Sequence, residues 1–170
     1  MSPQVFWTLL PETIVVLTAI LVIVGGAFVR SNRLWTGCSV IGLLLAALIL
    51  TNRSAATGEI TGPIVTDVLS ELVRGLSLAV GIGLTLMFAR RAQGECGGEV
   101  LGMILLTTSG MMLVSSAANF VLLFLAMELI SIPTYVLLFL GRPGEASSEA
   151  SAKYFLLSIL SSALFLLGVG

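Results

Sequence analysis

The stretch Phe120-Val-Leu-Leu-Phe-Leu-Ala-Met-Glu128-Leu-Ile-Ser-Ile-Pro133-Thr-Tyr135 decides the fold of this chain. Within it, eight uncharged residues precede Glu128, and thirteen follow before Arg142. A run this long and apolar predicts a helix that crosses a lipid bilayer. An ionised carboxylate near the bilayer centre costs about 3 kcal/mol on insertion scales, so we interpret Glu128 as a group that binds or moves an ion.

The composition of the whole chain agrees with a membrane protein. Its 170 residues are 57% hydrophobic and 10% charged, with a mean hydropathy of +1.11. The charges fall in short clusters between long apolar runs, which is typical of a polytopic bundle of transmembrane helices and therefore of an all-α fold. The net charge of −1 and the absence of a basic stripe argue against a nucleic-acid partner.

Six apolar runs are each long enough to span about 30 Å of hydrocarbon at the helical rise. We predict one transmembrane domain over residues 1–170 with spans at Leu9–Val29, Leu34–Leu50, Val68–Ala89, Val100–Ala118, Phe120–Leu140 and Ser148–Gly170. The first run lacks a basic segment before it and a cleavage site after it, so we interpret it as a membrane helix and not as a signal peptide. Pro63 is expected in the first turn of the third helix.

Positive charge predicts the orientation in the inner (plasma) membrane, because cytoplasmic loops are enriched in arginine and lysine. One set of connections carries five arginines and the opposite side has one, apart from Arg74 inside the third span. The N-terminus is then outside, and the arginine-rich connections lie in the cytoplasm. The five residues are Arg30, Arg33, Arg90, Arg91 and Arg142, and the one opposite them is Arg53.

Glu128 is expected about 13 Å from the outer end of its helix, close to the middle of the bilayer. The alternative to a proton-exchanging role is a permanently protonated acid that hydrogen-bonds a neighbouring helix. Pro133 lacks an N–H and frees the carbonyl of Leu129, so it predicts a helix break beside the carboxyl group.

Lys153 is the only lysine and is expected near the cytoplasmic start of the sixth span. Glu149 precedes it by four residues, in the order that favours a helical ion pair. Two interpretations remain open: a snorkelling interfacial pair, and a contribution to a proton path. The helical rise places Lys153 too far from Glu128 for a direct salt bridge, so water or other polar groups must connect them.

Asp67, Glu71 and Arg74 share one face of the third span at spacings of four and three residues. We predict that they neutralise one another at the outer membrane interface. Contact with another subunit or with a lipid head group is the alternative. Glu12 is expected in the first turn of the first span, where it suits the helix dipole and has a structural role.

The remaining reactive side chains indicate no other chemistry. The chain has no histidine, and Cys38 and Cys96 have no metal-ligand spacing, so we interpret both as inert thiols and predict no metal site. No phosphate-binding loop or nucleophile triad is present in the sequence.

The segment from Gly110 to Gly168 resembles the antiporter-like, proton-pumping subunits of respiratory complex I, the NADH–quinone oxidoreductase, and most of all the N-type subunit. The resemblance is carried by Leu123-Phe-Leu-Ala-Met-Glu128-Leu-Ile-Ser-Ile-Pro133-Thr-Tyr135 and by Ser148-Glu149-Ala-Ser-Ala-Lys153-Tyr154. Gly110-Met-Met-Leu also carries it, and weaker N-terminal matches are Leu10-Pro11-Glu12 and the Asp67–Arg74 spacing.

This resemblance implies that Glu128 and Lys153 belong to a proton path in a non-catalytic membrane subunit. It also implies other membrane subunits as partners, no cofactor on this chain, and flavin, iron–sulfur clusters and quinone on other subunits. Members of the family have about fourteen spans and carry further lysines on later ones. The resemblance therefore predicts that this chain is part of a larger fold, as a fragment, a truncated gene product or a split subunit.

Three other functions stay open. One is a subunit of a multisubunit cation/proton antiporter, which is a close relative of the pumping subunits. Another is a small exporter in which Glu128 alternates between a proton and a cationic substrate. The last is an assembly subunit without transport activity.

Overall fold

The fold is given by a computed structural model, which describes residues 3–29, 31–52, 59–61, 63–89, 97–141 and 144–169. Arg30, Arg53, Arg90, Arg91, Arg142 and Cys96, on which some of the predictions above rest, lie outside these ranges. Within them the elements are α1 (Pro3–Thr8), α2 (Leu10–Phe28), α3 (Asn32–Thr51), β1 (Glu59–Thr61), β2 (Ile64–Thr66), α4 (Val68–Ala89), α5 (Gly97–Ser116), α6 (Phe120–Gly141) and α7 (Glu145–Val169).

Six of the described helices, α2 to α7, are long and apolar enough to cross a membrane. Each coincides with one of the six runs identified in the sequence, so the predicted all-α transmembrane bundle is confirmed. The predicted boundary between the fourth and fifth runs is also present, because α5 ends at Ser116 and α6 begins at Phe120. There the Asn119 side chain accepts a hydrogen bond from the Leu122 amide at 2.8 Å, which caps the start of α6.

Helix α5 lies at the centre of the bundle and contacts α2, α3, α4 and α6. Helix α7 packs against α6 at the edge and has no fully buried side chain among its described residues. The hydrophobic core is formed by α2, α3, α4 and α5 together, with Val15, Ala19, Val22, Leu43, Ala46, Leu78, Leu101, Leu105 and Met112 fully or almost fully buried.

Helix α4 turns its polar side inward. Its buried residues include Ser70, Arg74, Ser77 and Thr85, whereas Leu72, Leu76 and other leucines of the same helix are exposed. A water-soluble bundle would show the reverse pattern. Apolar side chains on the outside and polar groups inside suit a helix whose outer surface meets lipid.

A short hairpin packs against α4 and α5, and the sequence did not reveal it. Strands β1 and β2 are antiparallel, with Ile60 opposite Val65. Pro63 lies in the hairpin connection and not in the first turn of α4, so that prediction was wrong. Its carbonyl accepts a hydrogen bond from the Ala118 amide at 2.8 Å, which fastens the hairpin to the α5–α6 connection.

Two glycines allow α2 and α5 to pack closely against each other. A Cβ atom added at Gly98 would lie 2.9 Å from the Cα of Gly26 and 3.1 Å from the carbonyl oxygen of Val22. Both neighbours are backbone atoms that cannot move without separating the helices. The absence of a side chain therefore permits close packing of this pair.

Replacing Gly98 with alanine should lower the stability of the bundle by about 1–3 kcal/mol, since overpacking of this size forces backbone shifts. The measurement is thermal unfolding of the purified protein in detergent. Gly83→Ala is the matched control, because Gly83 is also helical but has nothing within 4 Å of an added Cβ. Equal melting temperatures for the two variants would contradict the packing described for α2 and α5.

Candidate functional site

Glu128 lies in the middle of α6 and is half-buried. Its carboxylate oxygen Oε1 accepts a hydrogen bond from the hydroxyl of Ser162 on α7. The side chain of Glu128 therefore has a hydrogen-bond partner on a neighbouring helix. The structure places no lysine or arginine in contact with Glu128 among the residues it describes.

The antiparallel packing of α6 and α7 explains why Ser162 meets Glu128. Phe124 stacks on Phe165 with ring centroids 6.2 Å apart, and Tyr135 packs edge-on against Phe155 at 5.3 Å. The Ser151 hydroxyl donates to the Tyr135 carbonyl at 2.8 Å. These contacts fix the register of the two helices.

From the sequence alone, Ser162 is interpreted as a small helix-packing residue and not as a partner of Glu128. Helices joined by a short connection pack antiparallel, so residues equally distant from the connection face each other. Glu128 lies 13 residues before Gly141, so counting outward from the Gly141–Gly144 connection puts it level with position 157 of α7, five residues short of Ser162. Ser158, Ser161 and Ser162 follow this level, so the count indicates a serine-containing stretch but not the partner itself.

The side of α7 that faces α6 is lined with hydroxyl groups. The half-buried residues of this helix are Ser147, Ser151, Ser158, Ser162 and Phe165, and its other described residues are exposed. These positions recur at helical spacing, so they form one face. A row of serines therefore leads from the Lys153 end of α7 toward Glu128.

Lys153 forms an ion pair with Glu149 at 2.5 Å, and both side chains are exposed, at 69% and 66%. The predicted i,i+4 pair is present. Lys153 lies nine residues before Ser162, which corresponds to about 13 Å along α7. The structure thus keeps Lys153 and Glu128 apart, as the helical rise indicated.

Pro133 does not break its helix, contrary to the prediction. Helix α6 is continuous from Phe120 to Gly141, and Pro133 is buried inside it. The Thr134 hydroxyl donates to the Ile130 carbonyl at 2.7 Å, which adds a bond within the same turn. Only the carbonyl of Leu129 loses its helical partner, and neighbouring groups in a bundle compensate for such a loss without interrupting the helix.

The predicted ladder of Asp67, Glu71 and Arg74 is not formed. The guanidinium of Arg74 is fully buried and pairs with Glu12 on α2, with Nε donating to Oε1 at 2.6 Å. Its Nη2 atom also contacts Oε1 and donates to the Thr8 carbonyl at 2.9 Å. The two paired residues lie on different helices and are 62 positions apart in the chain.

Asp67 serves the start of α4 instead. Its Oδ1 atom accepts from the Ser70 amide at 2.7 Å, and the Ser70 hydroxyl accepts from the Asp67 amide at 3.0 Å. This reciprocal arrangement is a helix cap. Asp67 is used in this cap. Arg74 points into the core and pairs with Glu12, the only acidic residue of α2. Glu12 lies in the first turn of α2 as predicted, and it does have a structural partner.

The described residues contain no group of three or more histidine, cysteine, aspartate or glutamate side chains that could hold a metal ion. Cys38 is a free, partly buried thiol on α3. Glu128 on α6 is half-buried, and Glu12 on α2 and Arg74 on α4 are buried.

Apolar helices with ionisable groups in their interior define a multi-pass α-helical membrane protein. Comparison with known proteins narrows this class. Residues 117–170 match the family described as NADH:quinone oxidoreductase/Mrp antiporter, transmembrane. This segment contains α6 and α7, and with them Glu128, Ser162 and Lys153.

Relatives extend the similarity over nearly the whole chain. The chain is 35% identical over 168 residues to the NAD(P)H-quinone oxidoreductase subunit 2 of Trichodesmium erythraeum (strain IMS101), which covers 95% of this chain and 32% of that protein. It is 35% identical over 164 residues to the NADH-quinone oxidoreductase subunit N of Wolbachia sp. subsp. Brugia malayi (strain TRS), covering 95% and 35%.

The predicted resemblance to the antiporter-like subunits of NADH–quinone oxidoreductase, and among them to the N-type subunit, is confirmed. The chain spans about a third of the length of these curated relatives, with coverage of 32% and 35%.

Proposed function

We propose that this chain is part of the membrane arm of a proton-translocating NADH–quinone oxidoreductase, where Glu128 takes up and releases a proton. The relatives are named as subunits of such oxidoreductases, which supports the first half of the proposal. The observation that carries the second half is the half-buried carboxylate of Glu128, held by Ser162 in the middle of an apolar helix.

The hydroxyl of Ser162 suits a carboxyl group that changes its protonation state. A serine hydroxyl can donate to the ionised carboxylate, and it can accept from the protonated acid after rotating about its C–O bond. Glu128 then keeps a hydrogen-bond partner in both states. An intramembrane acid with such a partner can exchange a proton without leaving an unsatisfied group in the apolar region.

The serine face of α7 supplies polar groups on the cytoplasmic side of Glu128. Ser158 lies one turn from Ser162 in the direction of Lys153, and Ser151 lies two further turns away. Lys153 and Ser162 are about 13 Å apart along the axis of α7. Water bound along the row of serines could carry a proton over this distance. In this proposal the ion pair of Lys153 and Glu149 places charged groups at the cytoplasmic entrance of the proton path.

The proposal places the N-terminus outside and Arg33, at the start of α3, in the cytoplasm of a cell with this complex in its inner membrane. Neighbouring membrane subunits of the complex are its partners. Flavin, iron–sulfur clusters and quinone belong to other subunits, so this chain contributes to proton movement and not to electron transfer.

Purification of the affinity-tagged chain from native membranes tests the proposed assembly. We expect it to copurify with an NADH-oxidising complex that acidifies the lumen of vesicles when NADH is added. Recovery of the chain alone, with proton release triggered by a cationic substrate, would support the exporter instead. If Glu128→Gln and Lys153→Ala left pumping per NADH unchanged while deletions in the chain abolished assembly of the complex, an assembly role would replace transport.

A further inference from the structure

The Glu12–Arg74 pair leaves two buried polar atoms without a hydrogen-bond partner in the described part of the chain. They are Oε2 of Glu12 and Nη1 of Arg74, on side chains that are 3% and 0% exposed. Arg74 uses its Nε and Nη2 atoms, and both are directed to the same oxygen of Glu12. One carboxylate oxygen and one guanidinium nitrogen therefore remain available on the same pair.

Ser109 on α5 adds a third atom of this kind. It is fully buried, and its hydroxyl makes no hydrogen bond among the described residues. Other buried serines in the described part of the bundle do form hydrogen bonds. The Ser39 hydroxyl donates to the Trp35 carbonyl at 2.8 Å, and that of Ser77 donates to the Val73 carbonyl at 2.8 Å.

The register of α2 and α5 places Ser109 level with Glu12. The two helices are antiparallel, and a Cβ atom added at Gly102 would lie 3.2 Å from the carbonyl oxygen of Ala19. Seven residues make two helical turns and return to nearly the same face. Ser109 is seven residues beyond Gly102, and Glu12 is seven residues before Ala19, so the two positions face each other across the helix pair.

We propose that Glu12, Arg74 and Ser109 form an internal water-binding site in the outer part of the α2–α4–α5 core. Oε2 can only accept, Nη1 can only donate, and the serine hydroxyl can do either. Those three groups match the hydrogen bonds of one water molecule, and buried waters commonly make about three. No hydrophobic residue could satisfy the same atoms.

The site explains how a complete charge pair persists in an apolar bundle. A buried pair that leaves hydrogen-bonding groups unsatisfied loses much of its attraction to desolvation. A bound water satisfies those groups. The site lies on other helices than Glu128, so it does not depend on the function proposed above.

Radiolytic labelling tests the proposal, because hydroxyl radicals formed from bound water oxidise nearby side chains that bulk water cannot reach. Met112 lies one turn from Ser109 on α5 and is 0% exposed. In the purified protein in detergent, labelled with H₂¹⁸O, we expect ¹⁸O on Met112 despite its burial. Ser109→Val, which removes the hydroxyl and fills its space, should lower this labelling at least threefold.

Ser39→Val is the matched control, since Ser39 is equally buried but already bonded within its helix. It should leave Met112 labelling unchanged. An unlabelled Met112 in the original protein, or labelling that Ser109→Val does not reduce, would overturn the proposal. If Ser109→Val does not fold, Ser109→Ala gives the corresponding test by removing one of the three bonding groups, with a smaller reduction expected.

An experimental map of the protein that resolves water gives an independent test. We expect density for a water molecule within hydrogen-bonding distance of Oε2 of Glu12 and Nη1 of Arg74. A direct two-bond contact between these residues that uses Oε2 and closes the space would also overturn the proposal.

Discussion

Replacing Arg74 with methionine should destabilise the protein by about 3–5 kcal/mol, the typical cost of removing one member of a buried ion pair. Glu12 is 2% exposed and would lose its charged partner. The Thr8 carbonyl would lose the hydrogen bond that Nη2 donates to it. The measurement is the free energy or the temperature of unfolding of the purified protein in detergent.

Replacing both members of the ion pair provides the control for this prediction. In Glu12→Leu/Arg74→Met no buried charge remains, so most of the stability should return, because apolar replacements of a whole buried pair are often neutral or stabilising. Lys153→Met removes a cation from an exposed pair and should cost about 1 kcal/mol or less. Similar losses for Arg74→Met and Lys153→Met would contradict the burial and pairing described for Arg74.

Replacing Glu128 with glutamine should strongly reduce the proton movement that depends on this chain. Glutamine has nearly the same shape and can still bond Ser162, but it cannot carry a proton. Positioned proton-transfer groups contribute about 10²–10⁴-fold in acid–base chemistry, so we expect at least a roughly tenfold fall in proton flux through this path. The measurement is vesicle acidification per NADH oxidised in the assembled complex.

Glu145→Gln controls for a change of charge without burial, since Glu145 is exposed in the first turn of α7 and is not part of the proposed path. It should leave pumping much closer to normal. Unchanged pumping in Glu128→Gln, with the complex fully assembled, would remove Glu128 from the mechanism. Loss of assembly would instead be visible as loss of NADH oxidation, which is recorded in the same vesicles.

The large elements were predictable because membrane helices are determined by local composition. Each of α2 to α7 is an apolar run that must satisfy its own backbone hydrogen bonds. The pair of Lys153 with Glu149 was predictable for the same reason, because four residues along one helix bring the side chains together.

The contacts between helices were less accessible from the sequence. Local spacing favoured pairing of Arg74 with Glu71 or Asp67, but the structure turns Arg74 into the core toward Glu12. That outcome depends on how α2 and α4 are each packed against α3 and α5, which no local pattern encodes. The continuity of α6 through Pro133 likewise depends on its surroundings. Ser162 is an intermediate case, since the antiparallel arrangement of α6 and α7 indicates a serine-containing stretch near Glu128 but not Ser162 itself.

The central claim is that Glu128, shielded from bulk water, changes its protonation state during turnover. Infrared difference spectroscopy of the assembled complex tests this claim by following carboxyl vibrations after NADH is added. We predict a carboxyl signal that disappears in Glu128→Gln and shifts in Ser162→Ala, where its hydrogen bond is lost, but not in Ser161→Ala at the exposed neighbouring position. A spectrum that is identical in the original protein and in Glu128→Gln would contradict the claim.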